Sequence, residues 1–344
     1  MYRFNNDYNR GAHPAILEVL NDTNKMSYAG YGLDAACERA ASLIKKAAGV
    51  PKADVHFLVG GTQTNYTVIA HSLKPYESVL APESGHINVH ETGAVEHTGH
   101  KIEALEHKDG KITAAQVDAK MTEIENSPVP EHITIPKMLY ISFPTEYGTI
   151  YTKKELTDIY STCKKHGIYL FIDGARLGYG LTSPKCDLTF KEFAKLCDVF
   201  YIGGTKCGLL FGEALVINNK ELKSCFRNSI KENGGMLAKG WLLGLQFGVM
   251  FEDNLYFDIC SKADSYAMKI KKAFKAKGIP SYIDSPTNQQ FVVVTNAQAE
   301  KLAKNFIYED EGVLDKNHLI IRFCTSWATE DEEVNALLDE IKKL

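Results

Sequence analysis

From about Asp54 the chain settles into a rhythm that admits few folds: short, nearly continuous apolar runs separated by longer amphipathic segments. The runs are Val55–Val59, Ser78–Ala81, Met138–Phe143, Tyr169–Ile172, Val199–Ile202 and Ala214–Ile217. Several are separated by stretches with a helical apolar period, such as Lys153–His166 and Leu188–Leu196. Strands apolar on both faces, with helices between them, specify an α/β fold with a mostly parallel sheet covered on both sides. Right-handed crossovers then bring the strand C-terminal ends to one edge, where such sheets bind ligands.

The flanks read differently. Residues 1–30 form an arm, with a short helix over Ala15–Leu20 opened by His13-Pro14 and a break at Gly30-Tyr31-Gly32. A helix over Cys37–Ala48 follows. Glu221–Lys277 is helical by period, interrupted at Gly234-Gly235 and around Asn254, and its later part is long enough to join two domains. Beyond Pro280 the order is strand, strand, helix, strand, helix: Ser281–Ile283, Gln290–Val294, Gln298–Asn305, Leu319–Cys324 and Glu330–Lys343. The expected division is an arm, a large domain over 31–277 and a small α+β domain over 278–344. Thirty-nine Lys and Arg against 43 Asp and Glu give a net charge of −4, without the basic footprint of a nucleic-acid binder. No apolar window is long enough to span a bilayer, so no membrane partner is expected, and the N-terminus has no signal layout. Eight scattered cysteines without a C-x-x-C pair point to reduced thiols and a cytoplasmic protein.

Four features stand just after strands. Val59-Gly60-Gly61-Thr62-Gln63-Thr64-Asn65 joins a strand to a helix. Its glycines permit close backbone approach, and the free N–H groups of a helix start suit a phosphate; a plain tight turn with an N-cap is the other reading. It matches neither G-x-G-x-x-G nor the Walker pattern, which argues against a nucleotide-binding dehydrogenase. In Phe171-Ile172-Asp173-Gly174-Ala175-Arg176 an apolar strand ends in an acid, which is costly to bury unless paired. An Asp173–Arg176 ion pair or an N-cap would satisfy it without any ligand. In Tyr201-Ile202-Gly203-Gly204-Thr205-Lys206-Cys207-Gly208 a lysine follows a buried strand inside a glycine turn. Desolvation there would lower its pKa and favour a nucleophilic amine; an exposed loop lysine is the alternative. Arg322 interrupts the apolar strand Ile320-Ile321-Arg322-Phe323, either to clamp a carboxylate or as an edge arginine facing water.

His86, His90, His97, His100 and His107 cluster loosely, but no metal-ligand set is compelling. A single ring, His86, stacking on a planar cofactor is more economical. A phosphate cradle, a strand-end acid, a strand-end lysine and a carboxylate-binding arginine together suggest pyridoxal 5'-phosphate. Lys206 would join its aldehyde, Asp173 would keep its ring nitrogen protonated, and Arg322 would hold an amino-acid carboxylate.

On these residues the chain resembles the beta-eliminating lyase/L-threonine aldolase family, most clearly from about Asn6 to Trp327. The family's S-G-T-x-x-N turn corresponds to Gly60-Gly61-Thr62-Gln63-Thr64-Asn65, its stacking histidine to His86, and its D-G-A-R-L block to Asp173-Gly174-Ala175-Arg176-Leu177. Its S-K-G corresponds to Thr205-Lys206-Cys207-Gly208. The resemblance implies a fold-type I PLP-dependent transferase-like architecture, with a mostly parallel seven-stranded sheet and a small C-terminal domain. It implies catalytic Lys206, His86 and Asp173. Cofactor contacts would come from Gly61, Thr62, Gln63, His86, Asp173, Arg176, Thr205 and Lys206, and substrate contacts from Asn6, Arg176 and Arg322. It further implies a homodimer or homotetramer acting on a small β-hydroxy L-amino acid and releasing glycine and an aldehyde. The general base would be His86 or a water it holds. β-Elimination, another reaction at Cα, and a low-turnover PLP-binding protein are the alternatives.

The chain departs from the family pattern in three places. Asn6 stands where the family has a serine touching the carboxylate. Ser142-Phe143-Pro144-Thr145-Glu146 replaces E-N-T-H-N, which removes a second histidine and leaves either Glu146 in a polar role or a different substrate. The partner-subunit phosphate arginine has no counterpart near Gly234-Gly235-Met236-Leu237, where Lys231 or Lys239 is the available substitute.

Overall fold

The computed structural model describes residues 1–344. All six apolar runs are strands, and a seventh strand joins them. In spatial order they are Asp54–Leu58, Glu213–Ile217, Val199–Gly203, Tyr169–Asp173, Ile135–Ser142, Glu77–Pro82 and Ile102–Leu105. Glu213–Ile217 alone runs antiparallel to its neighbours. The other pairings are parallel. Ile102–Leu105 escapes the apolar pattern because Glu103 sits inside its four residues. That carboxylate is tolerated because it accepts hydrogen bonds from Ser78 Oγ (2.6 Å) and Thr134 Oγ1 (2.9 Å).

Strand alternation divides the interior in two. Leu139, Ile141, Leu170, Ile172, Phe200 and Ile202 face one hydrophobic cluster. Met138, Tyr140, Phe171, Val199 and Tyr201 face the other. Each fully buried side chain of this kind contributes about 1.5–3 kcal/mol relative to exposure. The same alternation places Asp173 on the face of Phe171. Register sets it beside Ser142 of the next strand, one step beyond the Tyr140–Phe171 pair. The strand ends pack so closely that a Cβ on Gly174 would lie 1.9 Å from the Tyr201 carbonyl oxygen, so this turn has room only for glycine.

The covering helices carry their own signals. Asp34 accepts from the Cys37 amide (2.9 Å) to cap Ala35–Ala48, and Gly49 ends that helix in the left-handed region (φ 66°). Thr152 and Glu155 form a reciprocal cap on Lys153–Lys165. Leu188–Leu196, expected as a helix, shrinks to the single turn Phe190–Phe193. The long helix Leu255–Ala276 joins two of the three hydrophobic clusters: Tyr256, Cys260 and Ala263 pack in the largest one, Tyr266, Ile270 and Phe274 in the C-terminal one.

The C-terminal part holds a three-stranded antiparallel sheet ordered Glu309–Asp315, His318–Cys324, Gln289–Thr295. Ser281–Ile283 is not a strand; only Ser281 makes an isolated bridge, to Val292. The acidic strand Glu309–Asp315 lies outside the expected set because its side chains are mostly exposed. The first residues of the arm lie against the C-terminal part. Tyr2–Arg3 pairs in parallel with Phe306–Ile307, and Phe4 is buried in the C-terminal core.

Candidate functional site

The strand ends frame a cavity of about 340 Å³. One wall is the start of the helix Gly61–Ser72. Its first intrahelical turn closes with the Thr64 N–H donating to Gly60 C=O (3.1 Å), so the amides of Gly61, Thr62 and Gln63 precede the ladder and suit an anion. Gly61 and Thr62 line the cavity. Gln63 does not line it, and its side-chain amide donates to Asn233 C=O (3.2 Å).

Asp173 forms the floor. Its Oδ2 accepts from Tyr140 Oη (2.6 Å) and Asn65 Nδ2 (3.1 Å). Its Oδ1 accepts from Tyr201 Oη and the Ala175 amide. Burial alone would raise its pKa, but the His86 charge and these donors outweigh burial and hold the carboxyl below its usual range. Neither ligand-free reading survives: Arg176 pairs elsewhere, and the next helix, Leu177–Thr182, is not capped by Asp173. Asn65 also donates to Glu91 (2.8 Å), whose same oxygen meets His86 Nδ1 (2.8 Å). A continuous hydrogen-bonded chain thus links the strand-end acid to His86. Burial opposes the charged form of His86, yet Glu91 and Asp173 raise its pKa above the ordinary value.

Lys206 enters from the turn after Val199–Gly203. The turn is pinned by Gly204 and Thr205 amides donating to Gly212 C=O (3.0 and 3.2 Å), and by Tyr179 Oη donating to Lys206 C=O (2.7 Å). Desolvation and the nearby Arg176 lower the lysine pKa, against the pull of Asp7, Asp173 and Glu213. It is therefore no exposed loop lysine but a cavity-lining amine biased toward its nucleophilic form. Thr205 Oγ1 donates to Glu213 (2.9 Å), whose burial pushes its carboxyl up to about 8.

A wider mouth of about 820 Å³ adjoins the inner cavity and shares Tyr8, His86, Glu146, Arg176 and Lys206 with it. Arg176 is held by a two-point ion pair with Asp7 (2.7 and 3.0 Å). Asn6 takes no part in lining either space; its Oδ1 accepts from the Tyr8 amide (3.1 Å). The arm lines both spaces with Tyr8, and Asp7, one position after Asn6, reaches the site by holding Arg176. Arg322 lines the mouth from the central strand of its sheet, not from an edge. It pairs with Glu311 (3.1 Å) and donates to Asn5 C=O (3.2 Å).

Tyr140 and Tyr201 were legible in retrospect, since period-two alternation puts both on the Asp173 face. Glu213 is an acid opening an apolar strand, the mirror of Asp173 closing one. Asp7 and Glu91 carried no local signal, because each gains meaning only from a partner brought by folding. Together the donor set fits pyridoxal phosphate: an anion-binding helix start, a buried anion for a ring nitrogen and a desolvated amine.

The model of the beta-eliminating lyase family matches residues 23–304. A low specificity L-threonine aldolase of Pseudomonas aeruginosa is 25% identical over 347 residues, covering 99% of this chain and 97% of its own. A solved threonine aldolase of Leishmania major is 45% identical with a TM-score of 0.97, covering 100% of this chain and 99% of that one. Aspartate aminotransferase of Thermus thermophilus, 14% identical with a TM-score of 0.71 over 100% of this chain and 91% of its own, shares the fold alone. The architecture is accordingly fold-type I, as the resemblance implied, and the chain belongs to the beta-eliminating lyase family.

Proposed function

We propose that this protein is a PLP-dependent carbon–carbon lyase that cleaves a small β-hydroxy L-amino acid of the threonine type to glycine and an aldehyde. The observation that carries the reading is the convergence of Lys206 and Asp173 on one cavity beside the Gly61 helix start, with Arg176 and Arg322 at its mouth. The name and near-complete overlap of the Leishmania major enzyme support the substrate class.

Bound pyridoxal phosphate supplies an aldehyde for an amine and a ring that accepts the electron pair released at Cα. The residues of the chain do the rest. Lys206, with its lowered pKa, presents the amine. Asp173 keeps a proton on the ring nitrogen, and its four donors hold it anionic for that task. The Gly61 and Thr62 amides, with Thr205 beside them, hold the phosphate. His86, oriented by Glu91, would cover the ring of the bound cofactor. Arg176 and Arg322 orient the substrate carboxylate.

A homodimer or homotetramer is part of the proposal. It is supported by exposed Tyr31 and Leu33 (47% and 70%) at a hollow of about 320 Å³ that also includes Arg227 and Met236. Cytoplasmic residence is proposed from eight cysteines that are all free.

The test is covalent. Protein loaded with pyridoxal phosphate should be yellow, and borohydride should bleach it while labelling Lys206. Lys206→Ala should keep the fold by circular dichroism and lose turnover by about 10³ or more on threonine, allo-threonine, phenylserine and serine. Full activity in that variant would refute the assignment of roles. Release of pyruvate from serine, with no glycine and aldehyde from the others, would place the reaction as β-elimination.

A further inference from the structure

A substrate whose amine replaces that of Lys206, and whose carboxylate meets the two arginines, must set its β-carbon where the inner cavity opens into the mouth. Five residues line both spaces and so border that opening. Lys206 is committed to the amine chemistry. Arg176 is a permanent cation held by Asp7 and accepts no proton. Tyr8 is more than half exposed. His86 spends Nδ1 on Glu91, and a ring stacked on the cofactor is poorly placed to reach the hydroxyl.

Glu146 differs from all four. Its Oε1 accepts both the His86 amide (2.9 Å) and Ser142 Oγ (2.6 Å), which fixes the carboxyl on the loop after Ile135–Ser142. No other side chain donates to Oε2, and Glu146 lines both the inner cavity and the mouth. Burial raises its pKa, and the charge of Asp173 adds to this, against hydrogen bonds from Ser142, its own amide and the His86 amide. A carboxylate moved toward neutrality is a better proton acceptor than an ordinary one.

We infer that Glu146 is the catalytic base that takes the proton of the substrate's β-hydroxyl, an assignment that rests on the lyase reading above. The O–H bond breaks and its proton passes to Glu146 Oε2. The electron pair of that bond becomes the second carbon–oxygen bond of the departing aldehyde. The Cα–Cβ bond breaks, and its pair stays on the Cα side, accepted by the bound cofactor. A solvent proton returns to Cα as glycine forms, and Glu146 releases its own proton through the mouth.

The test uses the pyridoxal-phosphate-loaded enzyme. Glu146→Gln keeps an oxygen for His86 and Ser142 but removes the base. Its kcat for threonine cleavage should fall by about 10²–10⁴. Exchange of the glycine α-hydrogen with deuterated water involves no hydroxyl, so it should stay at the wild-type rate. Cofactor stoichiometry and melting temperature should also match wild type. In Glu146→Ala, added formate should restore part of the cleavage. Near-wild-type cleavage by Glu146→Gln would overturn the inference, as would loss of cleavage and glycine exchange together. If the wild type itself yields no aldehyde from any β-hydroxy amino acid, the lyase reading falls and this assignment falls with it.

Discussion

The floor of the site and its mouth handle charge in opposite ways. At the floor, Asp173 is saturated with neutral donors: two tyrosines, an asparagine and a backbone amide. Its charge is stabilised but not neutralised, so it remains available to a cationic group on a ligand. At the mouth, both arginines already hold carboxylates of this chain, Asp7 for Arg176 and Glu311 for Arg322. A substrate carboxylate there must share or exchange. The contrast teaches that the floor is preorganised for a resident cofactor, whereas the arginines of the mouth are paired with carboxylates that an incoming ligand must displace or share.

The sharpest way to break this comparison is at the floor. Asp173→Asn removes the anion while leaving its tyrosine and amide donors in place. Turnover should fall a hundredfold or more, in line with about 3–5 kcal/mol for a broken buried charge pair. A variant with wild-type kcat would mean that the floor does not serve a ring cation.

The Asp7–Arg176 pair comes next, because it is buried but belongs to the mouth. Burial opposes the Asp7 charge, yet Arg176, Lys206 and Asn288 bring its pKa down to about 2. A folded-state pKa below the unfolded value of about 3.9 means the pair stabilises fully above that pH and is lost as pH falls toward 2. Asp7→Asn should lower stability at pH 7 by about 3 kcal/mol in denaturant unfolding, with the difference from wild type shrinking below pH 4. A difference that stays constant down to pH 2 would show that Asp7 acts through packing alone.

Glu311 carries the smallest effect. Its pair with Arg322 is partly exposed, the two side chains being 28% and 16% accessible. Glu311→Gln should lower the KM for the amino acid by about fivefold or less, matching the 0.2–1 kcal/mol of such pairs. A raised KM would make Glu311 a substrate contact instead of a competitor.

The large sheet was legible because its strands are buried on both faces and so are apolar without interruption. Where that condition lapses, the reading lapsed too. Ile102–Leu105 hides a satisfied glutamate, and Glu309–Asp315 is acidic because its side chains face water. The functional positions divide the same way. Lys206, Asp173 and Gly61 sit at transitions from strand to turn, which the chain announces locally. The side chain of Gln63 is tied to Asn233, a contact 170 residues away that nothing local announces. Asn6 and Asp7 differ by one residue on a segment with no period, so nothing local could say which one turns inward.

What the chain determined by itself was the order of apolar runs and the residues that end them, since burial in a two-sided sheet leaves little choice of composition. What the tertiary structure alone decided was the pairing of charged groups: Asp7 with Arg176, Glu91 with His86 and, through Asn65, with Asp173, and Glu146 with the His86 amide. Those contacts join positions from five to 169 residues apart. Their energy depends on distance and desolvation in the folded state, neither of which exists along an extended chain.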